Sequence, residues 1–172
     1  SVGEALAAAK RLLGAAQNPA VLVSSHASNE ELDVLQSLLG SVATYAHRDC
    51  VPSADEVIED ALLIKADKNP NRRGVEERFG SREFDPAAGH DLVLVWGETS
   101  APLAAGGTPW IHLTPFGTPA QSPAHVVLPI SNTYERRGSF TNFEGKHNTF
   151  EQVLDKPPQV QHAADIFRSL AS

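Results

Sequence analysis

The residues with chemistry to offer are one thiol, seven histidines, a few adjacent carboxylates and two polar turns that follow apolar runs. Cys50, the only cysteine, stands in "HRDCVP", where His47, Arg48 and Asp49 could lower its pKa toward a reactive thiolate. It has no family spacing around it, and a small loop residue is the alternative. The histidines form no HxH, HxxxH or HExxH pair, and no pair of them lies close in sequence with a carboxylate at ligand spacing, so no metal site is expected. His26 and His47 each follow an apolar run and could meet at one sheet edge, as ligands or as solvated loop residues, while His112 inside "PWIHLTP" reads as a strand residue facing a partner. The serines lack a G-x-S-x-G elbow. Glu30-Glu31 and Glu76-Glu77 are neighbours on helical segments, where adjacent side chains point apart, and read as solvated faces. No catalytic residue and no metal ligand is assigned.

Phosphate binding is the better candidate. "VLVWGETSAPLAAGG" runs from an apolar strand into a glycine and a polar turn, and "VLVSSHASNEE" ends a strand with Ser24-Ser25 before a capped helix whose amides could hold an anion. A dinucleotide site, if retained, would draw on Ser24, Gly97, Glu98 and Thr114. The chain has neither GxGxxG nor a Walker sequence, and simple strand exits explain both turns about as well.

The elements that position these residues follow from periodicity. Residues 3 to 16 place Ala5, Leu6, Ala9, Leu12, Leu13 and Ala16 at helical spacing. "AVLVS", residues 20 to 24, is a short apolar run suited to a strand covered on both faces. Ser28 followed by Glu31 is a capping box that opens a helix carrying Leu32, Leu35, Leu38 and Leu39 until Gly40. "VATYA" at 42 to 46 predicts the next strand, and a short helix is expected near Ser53 with Glu56 three positions on. "ALLIKA" fits strand or helix end, Asn69-Pro70-Asn71 is a break, and "RRGVEERFG" holds one or two helical turns. "DLVLVWG", "PWIHLTP" and "HVVLPIS" are three further strands, Lys156-Pro157-Pro158 is a spacer, and "QHAADIFRSLA" closes as a helix with Ala163, Ile166, Phe167 and Leu170 on one face. Strand, loop and helix in alternation predict a three-layer α/β domain with a mostly parallel sheet.

At 172 residues the chain fits one domain, residues 1 to 172, or two small lobes, and buries roughly two-thirds of the surface its unfolded form exposes. One cysteine forms no internal disulfide and cannot supply the thiolates of an iron–sulfur cluster. The net charge of −7 and the scattered basic residues argue against a nucleic-acid partner. No apolar run approaches the roughly 18 residues of a membrane span, so the chain is read as cytoplasmic. It contains no methionine, even at position 1, which is read as a processed protein or a piece of a longer one.

The stretch "ERRGSFTNFEGKHNTFEQ", residues 135 to 152, reads as an extended segment that turns back on itself or as a glycine-rich loop. Gly138 and Gly145 supply backbone freedom, Asn142 bonds nearby backbone, and Phe140, Phe143 and Phe150 anchor the segment over the sheet edge. The role is mainly architectural; the alternative is a dinucleotide clamp in which Arg136 and Arg137 face phosphates.

"DLVLVWGE" resembles the strand-plus-glycine, and "AHVVLPISNTYERRGSFTNFEGKHN" the "ADVVLP…EkeGTftNxEGRxQ" signature, of the molybdopterin-oxidoreductase-like domain in the large iron–sulfur subunit of bacterial NADH–quinone oxidoreductase (respiratory complex I). "KPPQVQHAADIFRSLA" is similar to that family's proline pair and closing helix, "NPAVLVSSHASNEELDVLQSLL" to its strand and "tNEE" helix, and "NPNRRGVEERFG" to its "NxNxxGaxxxG" segment. The similarity covers most of the chain, strongly over 125 to 145 and loosely before 91, and formate dehydrogenases share the pattern. Three departures bear on ligand binding. Lys146-His147-Asn148 replaces Arg-x-Gln, Ala164-Asp165 stands near a common tryptophan, and "GETS" at 97 to 100 lacks the proline of the "GENP" turn.

The resemblance implies a Rossmann-like α/β sheet as in formate dehydrogenase and DMSO reductase domains. It implies a non-catalytic scaffold without cofactor of its own, in a parent subunit that carries iron–sulfur clusters. Its partners would be other domains of that subunit and other respiratory-complex subunits, with any membrane association made through the parent complex. The alternative is the guanine-dinucleotide-binding part of a molybdopterin-dependent oxidoreductase such as formate dehydrogenase.

Overall fold

The computed structural model of the chain describes residues 1–40, 42–47, 59–62, 64–97, 107–116 and 124–172. Five parallel strands form its centre: β1 (Pro19–Ser24), β2 (Ala43–His47), β3 (Leu92–Trp96), β4 (Trp110–Thr114) and β5 (Val126–Pro129). Their order is β2-β1-β3-β4-β5. The helices are α1 (Val2–Ala15), α2 (Asn29–Leu39), α3 (Arg72–Phe79) and α4 (Ala163–Ala171). This is a three-layer α/β Rossmann-like fold, as the alternation of strand and helix signals predicts. Its strands are short and mostly apolar, as burial on both faces requires.

The two faces are covered differently. Val21, Val23, Leu94, Trp96, Ile111, Leu113 and Leu128 form one cluster with Ala9 of α1, Leu32 and Leu35 of α2, Val75 of α3 and Ile166 and Phe167 of α4. The Trp96 ring meets Phe167 edge-on at 4.8 Å, and burying an aromatic of that size contributes about 2–3 kcal/mol. On the opposite face Leu22, Val93, Val95 and Trp110 are buried, with Phe84 and Ala124 packed on them from segments that are not helical. Tyr45 joins this face in register with Leu22, and its ring abuts Phe84 at 5.3 Å.

Local signals in the sequence translate directly. The Ser28 hydroxyl accepts from the Glu31 amide at 3.3 Å while the Glu31 carboxylate accepts from the Ser28 amide at 2.9 Å, closing the capping box of α2. Residues 59–62 and 64–71, which include most of "ALLIKA", contain neither helix nor strand. The helix expected near Ser53 falls outside the described residues. Among the described residues no helix is long and apolar enough to cross a membrane.

Residues 138–150 form an antiparallel ribbon of β6 (Gly138–Thr141) and β7 (His147–Phe150), so the extended reading holds over the loop. At its turn Gly145 adopts φ 79°, and the Asn142 Oδ1 accepts from the amides of Glu144 at 3.0 Å and Lys146 at 2.9 Å. Phe140 and Phe150 pair at 4.6 Å, as expected of anchors. Phe143 does not anchor. It is 58% exposed at the ribbon's tip, with the Lys65 ammonium 5.6 Å from its ring centre.

Gly138 marks the closest approach of the ribbon to α2: an added Cβ would lie 2.7 Å from the Ser28 Cβ and 2.9 Å from the Glu30 Oε2. Gly138→Ala is therefore expected to lower stability by about 1–3 kcal/mol. Gly14→Ala, where the added Cβ meets nothing within 4 Å inside α1, is expected to raise it by about 0.5 kcal/mol. Urea denaturation of the two variants checks both signs.

Candidate functional site

The strand order reverses direction between β1 and β3, and in such sheets ligand crevices open over the carboxyl ends of the strands at that point. A cleft of about 370 Å³ lies there. Ser24 and His26 enter it from the end of β1, Trp96 and Gly97 from β3, and Pro115 and Phe116 from β4. Residues 130–136 wall it from the β5 side, and Phe140 of the ribbon covers it. Of the sequence candidates, Ser24 and Gly97 therefore line one cavity, Thr114 stands just behind it at the end of β4, and Glu98 falls outside the described residues.

The polar groups at these strand ends are turned on one another. The Ser24 hydroxyl accepts from the His26 amide at 3.0 Å. Gly97 donates its amide to the Leu113 carbonyl at 3.1 Å and accepts from His112 Nε2 at 3.1 Å, which fixes the proton on that ring nitrogen because a carbonyl only accepts. Thr114 closes a small turn on Phe116, donating to its carbonyl at 2.8 Å and accepting from its amide at 3.1 Å. Asn132 Oδ1 accepts from the Tyr134 amide at 2.8 Å. What the cleft presents beyond these is chiefly aromatic: Trp96 at its floor, Phe140 above, Phe116 and Tyr134 at its mouth.

Among the described residues, Arg136 is the lysine or arginine that lines this cavity, and it faces inward. Only 7% exposed, it donates from Nη1 to the Ser131 carbonyl and from Nη2 to the His26 carbonyl, both at 2.7 Å, and its Nε lies 3.4 Å from Glu31 Oε2. One guanidinium thus joins the exits of β1 and β5 to the first turn of α2. Arg137, its neighbour, is exposed. The pairing corrects the reading of Glu31 as part of a solvated face, while Glu30 remains exposed as expected. Glu31 is buried against Arg136, and Glu30 accepts from the Ser139 amide at 2.9 Å and hydroxyl at 2.8 Å. Glu76 and Glu77 do form solvated pairs, with Arg72 at 3.7 Å and Arg73 at 3.0 Å.

Behind the cleft, three buried polar residues to which the sequence assigned no joint role form a second knot. Asn71 donates to the Ala27 carbonyl at 2.7 Å and to Asn29 Oδ1 at 3.2 Å, and accepts from the Thr141 amide at 2.6 Å. Asn29 donates to the hydroxyls of Ser139 at 3.1 Å and Thr141 at 3.2 Å. Asn71 beside Pro70 reads as a turn, and the motifs that contain Asn29 and Thr141 do not say that Thr141 meets the other two across 70 residues or more.

A serine and a histidine also meet. Ser131 Oγ and His162 Nδ1 are 2.8 Å apart, but Ser131 is fully buried, so the contact joins the β5 exit to the start of α4 and offers no nucleophile to a substrate. His26 follows β1, and His47 ends β2 in register with Ser24, which puts their backbones at one sheet edge. Cys50 lies outside the described residues, and among those described no cluster of three or more His, Cys, Asp or Glu residues could hold a metal.

Removing one partner of a buried ion pair strands the other, so Arg136→Met is expected to lower stability by about 3–5 kcal/mol, against about 0.5 kcal/mol or less for the exposed Arg137→Met. Urea denaturation measures both.

Partial burial pushes the Glu30 carboxyl up, but bonds from its own amide and from Ser139 outweigh this and hold its pKa below the ordinary 4.5. A depressed folded pKa means that this contribution is present above about pH 4.5 and is lost as pH falls through the folded value. Asp91 and Glu144, also held low, add acid limbs of their own, so the difference between wild type and Glu30→Gln isolates the Glu30 part. That difference is expected to shrink on acidification, as read from urea midpoints across pH.

No protein-family model and no curated protein matches this chain.

Proposed function

We propose that the chain is a non-catalytic scaffold domain of the large iron–sulfur subunit of an NADH–quinone oxidoreductase. It would support electron transfer through clusters held by other domains, while contributing neither cofactor nor reaction of its own. The domain would be cytoplasmic and would reach a membrane only through the parent complex. Its partners would be neighbouring domains and subunits. The observation that carries the reading is the use made of Arg136. Among the described residues, the lysine or arginine that lines the cleft at the sheet's carboxyl edge is instead bonded to the carbonyls of His26 and Ser131 and paired with Glu31. The ribbon that resembles the family signature is spent in the same way, its Gly138, Ser139 and Thr141 locked onto α2 and Asn71.

A second reading draws support from position. Ser24 and Gly97 line one cleft at the reversal of strand order, where a guanine dinucleotide of a molybdopterin-dependent oxidoreductase would lie. Calorimetric titration with guanosine mono- and diphosphate separates the two. A scaffold is expected to give no saturable heat up to about 1 mM ligand, a free energy of about −4 kcal/mol. Saturation at micromolar ligand, lost on Gly97→Val, would instead favour the dinucleotide reading.

A further inference from the structure

The cleft's mouth continues onto a shelf of exposed apolar side chains. Phe116 is 54% and Tyr134 64% exposed at the rim. The Tyr134 carbonyl accepts from the amides of both Val153 at 3.0 Å and Leu154 at 2.9 Å, which fixes the backbone of residues 151–155 against that rim. The side chains nevertheless point to water, Val153 being 69% and Leu154 56% exposed. Single exposed apolar residues are ordinary, but a backbone-anchored group of them beside an aromatic-walled cavity marks an interaction surface.

The charges around the shelf select the occupant. Glu151 and Asp155 bracket Val153 and Leu154, are exposed, and have no ion pair or hydrogen bond among the described residues. Among the described residues the cleft brings no free guanidinium, because Arg136 is bonded inward. A second copy of the chain, itself carrying −7, would set these carboxylates against their own symmetry mates in a two-fold contact. A basic partner meets them favourably.

We propose that this cleft and shelf form a docking socket for a basic segment of a partner protein. That segment inserts one aromatic or large aliphatic side chain between Phe116 and Tyr134 and lays lysine or arginine residues along Glu151 and Asp155. The buried anchor supplies most of the affinity, and the bracketing charges supply orientation and association rate. The proposal rests on the scaffold reading, since a nucleotide would occupy the same volume.

A random-peptide phage library, panned on the wild-type protein with counter-selection on Leu154→Asp, tests it. Enriched peptides are expected to carry an aromatic or large aliphatic residue within a few positions of two or more basic ones. A synthetic copy, followed by fluorescence anisotropy, should bind about tenfold or more weakly to Leu154→Asp. It should also lose most of its salt dependence with Glu151→Lys/Asp155→Lys. Leu154 is exposed, so both variants are expected to keep the wild-type melting temperature, and the charge-reversal protein serves if Leu154→Asp does not fold. Acidic enriched sequences, no enrichment over the counter-selected variant, or a wild-type dimer abolished by Leu154→Asp in sedimentation would each overturn the proposal. Guanosine diphosphate saturating the cleft would overturn it together with the scaffold reading, whereas absent enrichment without nucleotide binding would overturn it alone.

Discussion

The ion pair between Arg136 and Glu31 sets the terms for the rest of the molecule. Burying two charges costs several kcal/mol each, and their mutual attraction compensates only when the remaining donors and acceptors are also satisfied. Here two backbone carbonyls, those of His26 and Ser131, take the guanidinium's outer nitrogens, and the Ser28 amide takes a carboxylate oxygen. Those three partners sit at the β1 exit, the β5 exit and the start of α2. These bonds form only when strand, helix and far sheet edge are already in their native places, and even then Arg136 Nε and Glu31 Oε1 are buried without a hydrogen-bond partner among the described residues. It acts less as a source of stability than as a test of geometry.

The Asn29–Asn71–Thr141 knot extends the same logic to the ribbon. An antiparallel pair of four-residue strands is marginal alone. β6 stays because its backbone amides find side-chain acceptors on other elements: the Thr141 amide on Asn71 and the Ser139 amide on Glu30. Gly138 makes the approach possible by leaving Ser28 and Glu30 the space that a Cβ would take. The cleft over the sheet is walled by this construction. Arg136 and Asn132 are bonded into its walls, while Phe116 and Tyr134 are exposed at its mouth.

Much of the framework could be read from the residues. The five strand-like runs, the Ser28 and Glu31 capping box, the Asn69-Pro70-Asn71 break and the amphipathic closing helix are local signals, and local signals survive folding. The cleft's composition was only half legible. Ser24 and Gly97 could be placed because strand ends in parallel sheets converge on one edge. The destination of Arg136 could not, because a doublet of arginines after a strand looks the same whether it faces solvent phosphate or a carboxylate buried on another element. Glu31 misled for a related reason: helical spacing says which way a side chain points but not what stands there. Phe143 misled as well, since an aromatic in a glycine-rich segment anchors only if its turn faces inward, and the Asn142–Gly145 turn carries it out.

The long reach of the Arg136 contacts also bears on synthesis. His26 waits across 110 positions for the guanidinium, and Glu30 across 109 for the Ser139 amide. While a ribosome is still making the residues between them, β1 and α2 have been made before Arg136, the counterion of Glu31. Closure must await residues 136–141, and contacts of such separation favour slow folding.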